Sequence, residues 1–194
     1  VGNSQGPFLD KNDFYLYYNR MPRNRLRKTG VITEKDLQEL SLLPPPARLE
    51  SGPCVIVECV EKIPCDPCAS ACPRQAIKIE GGINEIPKVD FSLCSGCLLC
   101  IPKCPGLCIF VVHKNYTERH SLVSLPYEFN IKFKEGDEVW ALDRKGKKVA
   151  RGVIERIITK EAFDHCAIVQ IKVPKRYFNQ VRGFQVRLPT KARK

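Results

Sequence analysis

The chain has 194 residues, 43% of them apolar and 27% charged, with a formal net charge of +11. That is material for one or two folded domains, and no apolar run is long enough to span a bilayer. No glycine-rich phosphate loop of the dinucleotide or P-loop kind is present, so no nucleotide or flavin site is expected in this chain.

In chain order, a dense aromatic patch at 13–18 is followed by a basic run at 20–28. Basic residues among aromatics can bind single-stranded nucleic acid. Here the aromatics are bunched ahead of the charges, so the segment reads as an arm lying on the protein itself or on a partner subunit. Residues 33–40 predict a short helix with Thr33 as N-cap and Asp36 near the capping-box position. Leu37, Leu40 and Ile32 form its apolar side. The run Leu43-Pro44-Pro45-Pro46 stops the helix and stiffens the link that follows.

The β-branched run 54–59 predicts a strand. Eight of the eleven cysteines then fall between Cys59 and Cys104. The second group is Cys94-x2-Cys97-x2-Cys100-x3-Cys104-Pro105, the bacterial iron–sulfur spacing. The first group keeps Cys65-x2-Cys68-x3-Cys72-Pro73 but has its leading cysteine early, at Cys59, with Lys62 where the repeat would put a thiol. An odd cysteine count and tight, repetitive spacing argue against a disulfide framework. Zinc is the serious rival, since paired C-x2-C steps are its signature too. Zinc accounts for Cys65/Cys68 and Cys94/Cys97 but gives no role to Cys72, Cys100 and Cys104. Soft thiolates in this number suit iron–sulfur chemistry. Short helices are expected to begin after Cys68 and at the matching place in the second group. Strands are expected at 76–80, 87–91 and 107–112, with Gly81-Gly82 as a turn.

From Tyr127 on, the pattern turns β. Strands are predicted at 129–133, 138–142, 149–158 (bulged at Gly152), 167–173 and 184–188, with a hairpin turn at 144–147 and a helical turn at 174–180. Tight turns between short strands suggest a small barrel or curled sheet. Trp140 is expected in its core, and Cys108 and Cys166 are read as structural thiols. His113, His120 and His165 lack the mutual spacing of a metal site or a catalytic pair.

From Pro53 to about Val112 the chain resembles the bacterial-type two-4Fe–4S ferredoxins. The resemblance rests on Ile63-Pro64-Cys65, Cys68, Cys72-Pro73, Ala76-Ile77, Asp90, Cys94, Cys97, Cys100 and Cys104-Pro105. The two halves form a degenerate repeat. The resemblance implies two clusters, each borrowing the Cys-Pro cysteine of the other run. Cys65, Cys68 and Cys104 would hold the first with Cys59 as the natural fourth ligand. Cys54 is the alternative, and a three-iron cluster or a non-cysteine ligand is the outcome if neither reaches. Cys72, Cys94, Cys97 and Cys100 would hold the second. The expected class is α+β: a ferredoxin-like core at 51–115, a basic arm and linker at 1–50, and a small barrel-like docking domain at 120–190.

The basic arm, the Cys59 departure and the segments Gly136-Asp137-Glu138-Val139-Trp140 and Val181-Arg182-Gly183 carry a wider resemblance, to dicluster ferredoxin subunits of prokaryotic multi-subunit flavin-dependent dehydrogenases. It implies a hetero-oligomer whose partner subunit carries FAD and oxidises an amino acid or similar small substrate. This chain would pass electrons to a soluble carrier or another cluster without being an enzyme by itself. Thiolate ligation with no basic-then-apolar leader points to a reducing cytoplasm, either free or peripheral to a membrane through partners. A free-standing low-potential ferredoxin is the first alternative, and an iron–sulfur nucleic-acid-binding protein the second.

Overall fold

The computed structural model describes Leu26 and residues 28–187, so the expected arm at 1–25 and the end of the last expected strand lie outside the described residues. Thr33 caps helix α1 (Glu34–Glu39) through a capping box with Asp36, as its side-chain chemistry requires, and Leu37 is fully buried. The proline run does more than stop this helix. Pro46 opens a second short helix, α2 (Pro46–Glu50), at the position where a missing N–H costs nothing.

The rest is mainly antiparallel sheet with few helices, an α+β arrangement. Strands β1 (Cys54–Val57), β4 (Ile109–His113), β5 (His120–Tyr127), β6 (Glu138–Leu142), β7 (Lys148–Ile158), β8 (Ala167–Pro174) and β9 (Gly183–Val186) form one seven-stranded sheet in the order β1-β4-β5-β8-β7-β6-β9. A two-residue ladder joins β2 (Ile77–Lys78) to β3 (Lys88–Val89), and α3 (Pro67–Ser70) precedes it. The sheet takes strands from both the cysteine-rich segment and the C-terminal one. Among the described residues it does not close into a barrel: β1 and β9 are its edges.

The sheet curls nevertheless. Its concave face buries Ile56, Val112, Val123, Ile171, Ile154 and Val139, contributed by strands from both ends of the order. The opposite face of β1 and β4 (Val55, Val57, Ile109, Val111) packs on Cys68, Cys100 and Cys104. Strands β1 and β4 are therefore covered on both sides, which is why they read as continuous apolar runs instead of alternating. Glu58, just past β1, fastens the curl. Its carboxylate accepts from Arg144 Nε at 2.9 Å and Nη2 at 2.5 Å, and from Arg182 Nε at 2.6 Å. Arg182 lies over the Phe110 ring, 4.9 Å from its centroid.

Four expectations are corrected. Residues 129–133 form no strand: Phe133 packs edge-on to Tyr127 and Phe184 while Phe129 is 77% exposed. The bulge in β7 falls between Ile154 and Arg156. Gly152 instead sits in a close crossing, where a Cβ would meet the Lys172 carbonyl oxygen at 3.0 Å. Trp140 is half-buried and belongs to neither core; Lys148, Arg151 and Arg187 surround its ring at 5.4, 5.6 and 5.7 Å. The second cysteine run makes turns in place of a helix, since Leu98 takes a left-handed φ of 73° and Pro102 follows.

Candidate metal centres

The two cysteine runs hang from the β1–β4 pair, and the pairing interleaves them. Cys65 and Cys68 each feel the charges of Cys59 and Cys104. Cys100 feels those of Cys97, Cys94 and Cys72. Cys72, Cys94, Cys97 and Cys100 line one small pocket, walled by Val55, Ile77 and Val111. Each set thus draws on both runs. Cys59 joins the Cys65/Cys68/Cys104 set, whereas Cys54 lies on Cys94 in the other. Lys62, at the position where a thiol would be expected, pairs with Glu85 at 2.8 Å.

Hydrogen bonds reach several of these sulfurs, and some of the thiols shift in consequence. Ala76 N–H donates to Cys72 Sγ at 3.2 Å. The Cys104 thiol is pulled down to about 6, first by a hydrogen bond from Cys108 and then, against burial, by backbone N–H groups of Cys108, Gly106 and Leu107. The Cys108 thiol also lies against Cys59, which is brought down to about 7. Cys94 is pulled down to about 5 by the Cys54 thiol, with burial opposing and Val55 N–H, Gly96 N–H and the Arg48 charge assisting. Cys54 and Cys108 are driven up in exchange. Burial raises Cys68 to about 11 and Cys100 to about 12, which a bound cation would reverse.

Sequence reasoning left Cys108 and Arg48 without a role at the centres, and offered Cys54 only as an alternative ligand of the first set. Cys54 and Cys108 each back a low-pKa thiol, one per set. Cys108 follows Cys104-Pro105 at the spacing at which Ala76 follows Cys72-Pro73, so the repeat itself held the signal. Arg48 of α2 had none. Its guanidinium donates to the carbonyls of Pro53 (2.8 Å), Phe91 (3.0 Å) and Cys94 (2.6 Å), tying α2 to the second cysteine loop. Asp90 turns the chain into that loop by accepting from Ser92 N–H at 3.0 Å.

Gly96 is the tightest point of the second loop. Its φ is +67°, and a Cβ would lie 2.7 Å from both the Pro53 Cβ and the Pro53 carbonyl oxygen. Gly96→Ala is expected to destabilise the chain by about 2 to 5 kcal/mol, the sum of left-handed strain and overpacking. Gly30 has a similar φ of +66° with open space around it, so Gly30→Ala should cost only about 1 to 2 kcal/mol. Urea denaturation of the two variants checks this.

Among the described residues no three His, Cys, Asp or Glu side chains gather on a site for a single ion. One zinc would hold its thiolates roughly 3.8 Å apart, given bonds of about 2.3 Å, whereas a four-iron cube spreads them over its corners. Four thiols to a set, N–H donors to sulfur and an apolar wall are the surroundings that a four-iron cube would use. Comparison with family models, with curated proteins and with solved structures gave no match.

Proposed function

We propose that this chain is an electron-transfer subunit carrying two 4Fe–4S clusters, held by Cys59, Cys65, Cys68 and Cys104 and by Cys72, Cys94, Cys97 and Cys100. The observation that supports this most is the interleaving of the two cysteine runs into two sets of four. Such clusters, when bound, supply one-electron transfer. The chain's own residues bury Cys68, Cys100 and Cys104, donate hydrogen bonds to several of the sulfurs and set an apolar wall between them and the sheet. Cys97 is exposed and Leu99 beside it is 37% exposed, while Ile83, bonded to Cys65 N–H, is 53% exposed. Apolar surface beside solvent-facing ligands is what a redox partner would cover.

The partner in this reading is an FAD-containing dehydrogenase subunit that oxidises an amino acid or similar small substrate, with a soluble carrier or another cluster as acceptor. A reducing cytoplasm suits thiolate ligation. Among the described residues no helix is long and apolar enough to cross a membrane. Anaerobic isolation of the chain from its source, with iron, sulfide and flavin analysis, tests the proposal. About eight iron per chain with FAD in co-purifying subunits is the expected result. Eight iron on a lone chain would favour a free ferredoxin, and zinc would sink the electron-transfer account. A second reading, nucleic-acid binding, draws on the three cations around Trp140. It requires co-purifying nucleic acid whose affinity falls steeply with salt.

A further inference from the structure

On the far side of Gly96, Leu98 and Val111, which also wall the second thiol set, lies a cavity of about 280 Å³. Its floor is one row across the sheet. Arg156 pairs with Gln170, Gln170 with Ser124 and Ser124 with Val111, each directly opposite the next. Directly paired residues share a face, so the row grades from a cation, through two polar side chains, to an apolar wall.

The bulge in β7 makes this row possible. Ile154 and Ile157 both pack on the concave core, so strict alternation would send Arg156 there too. The extra residue lets Glu155 and Arg156 both line the cavity. Bulges that re-aim a side chain are common beside binding sites.

Among the described residues, the one charge in the cavity without a close counter-charge is positive. Glu155 is already satisfied, accepting from Lys172 at 2.6 Å and Tyr116 at 2.9 Å. Arg156 has no ion-pair or hydrogen-bond partner for its guanidinium among the described residues. Gln170 and Ser124 are 9% and 2% exposed, and the single 3.0 Å bond between them leaves one amide N–H, the amide oxygen and the hydroxyl proton to spend. Buried donors of this kind are costly unless something accepts from them.

We propose that this cavity binds a small organic carboxylate, its head on Arg156 and Gln170 and its apolar body against Leu98, Leu122 and Val111. The match is one of charge, donor count and polarity gradient, and it is independent of what the thiols hold.

Calorimetric titration of the full chain, isolated anaerobically, with benzoate and with the uncharged benzamide tests it. Benzoate should bind saturably below about 10 mM and at least about tenfold more tightly than benzamide, a difference of about 1.4 kcal/mol. Arg156→Leu, a change at an exposed position, should remove that preference, and Gln170→Leu should weaken both probes. Lys132→Ala, elsewhere on the surface, should change neither. Absence of saturable benzoate binding, or binding undiminished in Arg156→Leu, would overturn the proposal. If Gln170→Leu does not fold, Arg156→Leu alone decides.

Discussion

If the chain carries the two proposed clusters, Cys65→Ala is expected to hold about four iron per chain against about eight for the native protein, and Cys104→Ala to stay much closer to eight. The difference follows from the spare thiols. Cys108 Sγ lies 3.4 Å from Cys104 Sγ and is hydrogen-bonded to Cys59 as well. A thiol already at the site can take a vacated corner with little movement of the backbone. Cys65 has no such neighbour: the sulfurs it feels are Cys104 and Cys59, both ligands of the same set in this account. The double variant Cys104→Ala/Cys108→Ala should therefore fall to about four iron. The same logic makes Cys94→Ala milder than Cys100→Ala, because Cys54 stands behind Cys94. Iron and sulfide content after anaerobic reconstitution gives the answer. Equal losses in Cys65→Ala and Cys104→Ala would mean that the accessory thiols cannot serve as ligands.

The second large effect belongs to Glu58. Its side chain is 5% exposed and that of Arg182 is 4% exposed, so the pair is out of water. Glu58→Leu leaves Arg182 buried without its counter-charge, at an expected cost of about 3 to 5 kcal/mol. With a urea slope of about 2 kcal/mol per molar, the midpoint should drop by about 2 M. Adding Arg182→Met should restore most of it, since an apolar pair of similar volume needs no desolvation and Arg144, less deeply buried at 11% exposure, can turn outward. Were the double variant no more stable than Glu58→Leu, the burial argument would fail.

The pH dependence has a definite sign. Burial pushes the Glu58 carboxyl up, but the Arg144 hydrogen bond and the Arg182 charge outweigh it, and the net shift is downward from 4.5. The unfolded chain then holds the proton more tightly than the folded one, so stability rises with pH across that interval. The contribution is complete above pH 4.5 and is lost as pH falls through the lower, folded value. The double variant, lacking the carboxyl, should lose correspondingly less stability between neutral and acid pH.

What was legible in the sequence was local. The cysteine spacing, the Thr33–Asp36 capping box and the apolar runs of β1 and β4 are each decided by residues within a few positions of one another. Strand β5 escaped because Ser121 and Ser124 are buried along with the leucines and the valine between them, which leaves no alternation to read. The alternating aromatics at 129–133 misled for the opposite reason: Phe133 finds ring partners while Phe129 faces solvent, a contrast that periodicity alone cannot separate. The bulge position was set by the need to keep a charge at Arg156 off the concave face, which only the register reveals. Cys54 on Cys94, Cys108 on Cys59 and Arg48 on Cys94 act across long sequence separations, and these partners are fixed by pairing rather than by spacing.

Those separations set a timetable for biosynthesis. Glu58 is 86 residues from Arg144 and 124 from Arg182. At about 5 to 20 residues per second, the ribosome delivers Arg182 roughly 6 to 25 s after Glu58. Every cysteine of the two runs has been synthesised well before that. For those seconds the thiols are out while the clasp that curls the sheet behind them is incomplete. A cluster delivered during this window would meet a chain whose sheet is not yet clasped, and one delivered afterwards would meet the finished fold.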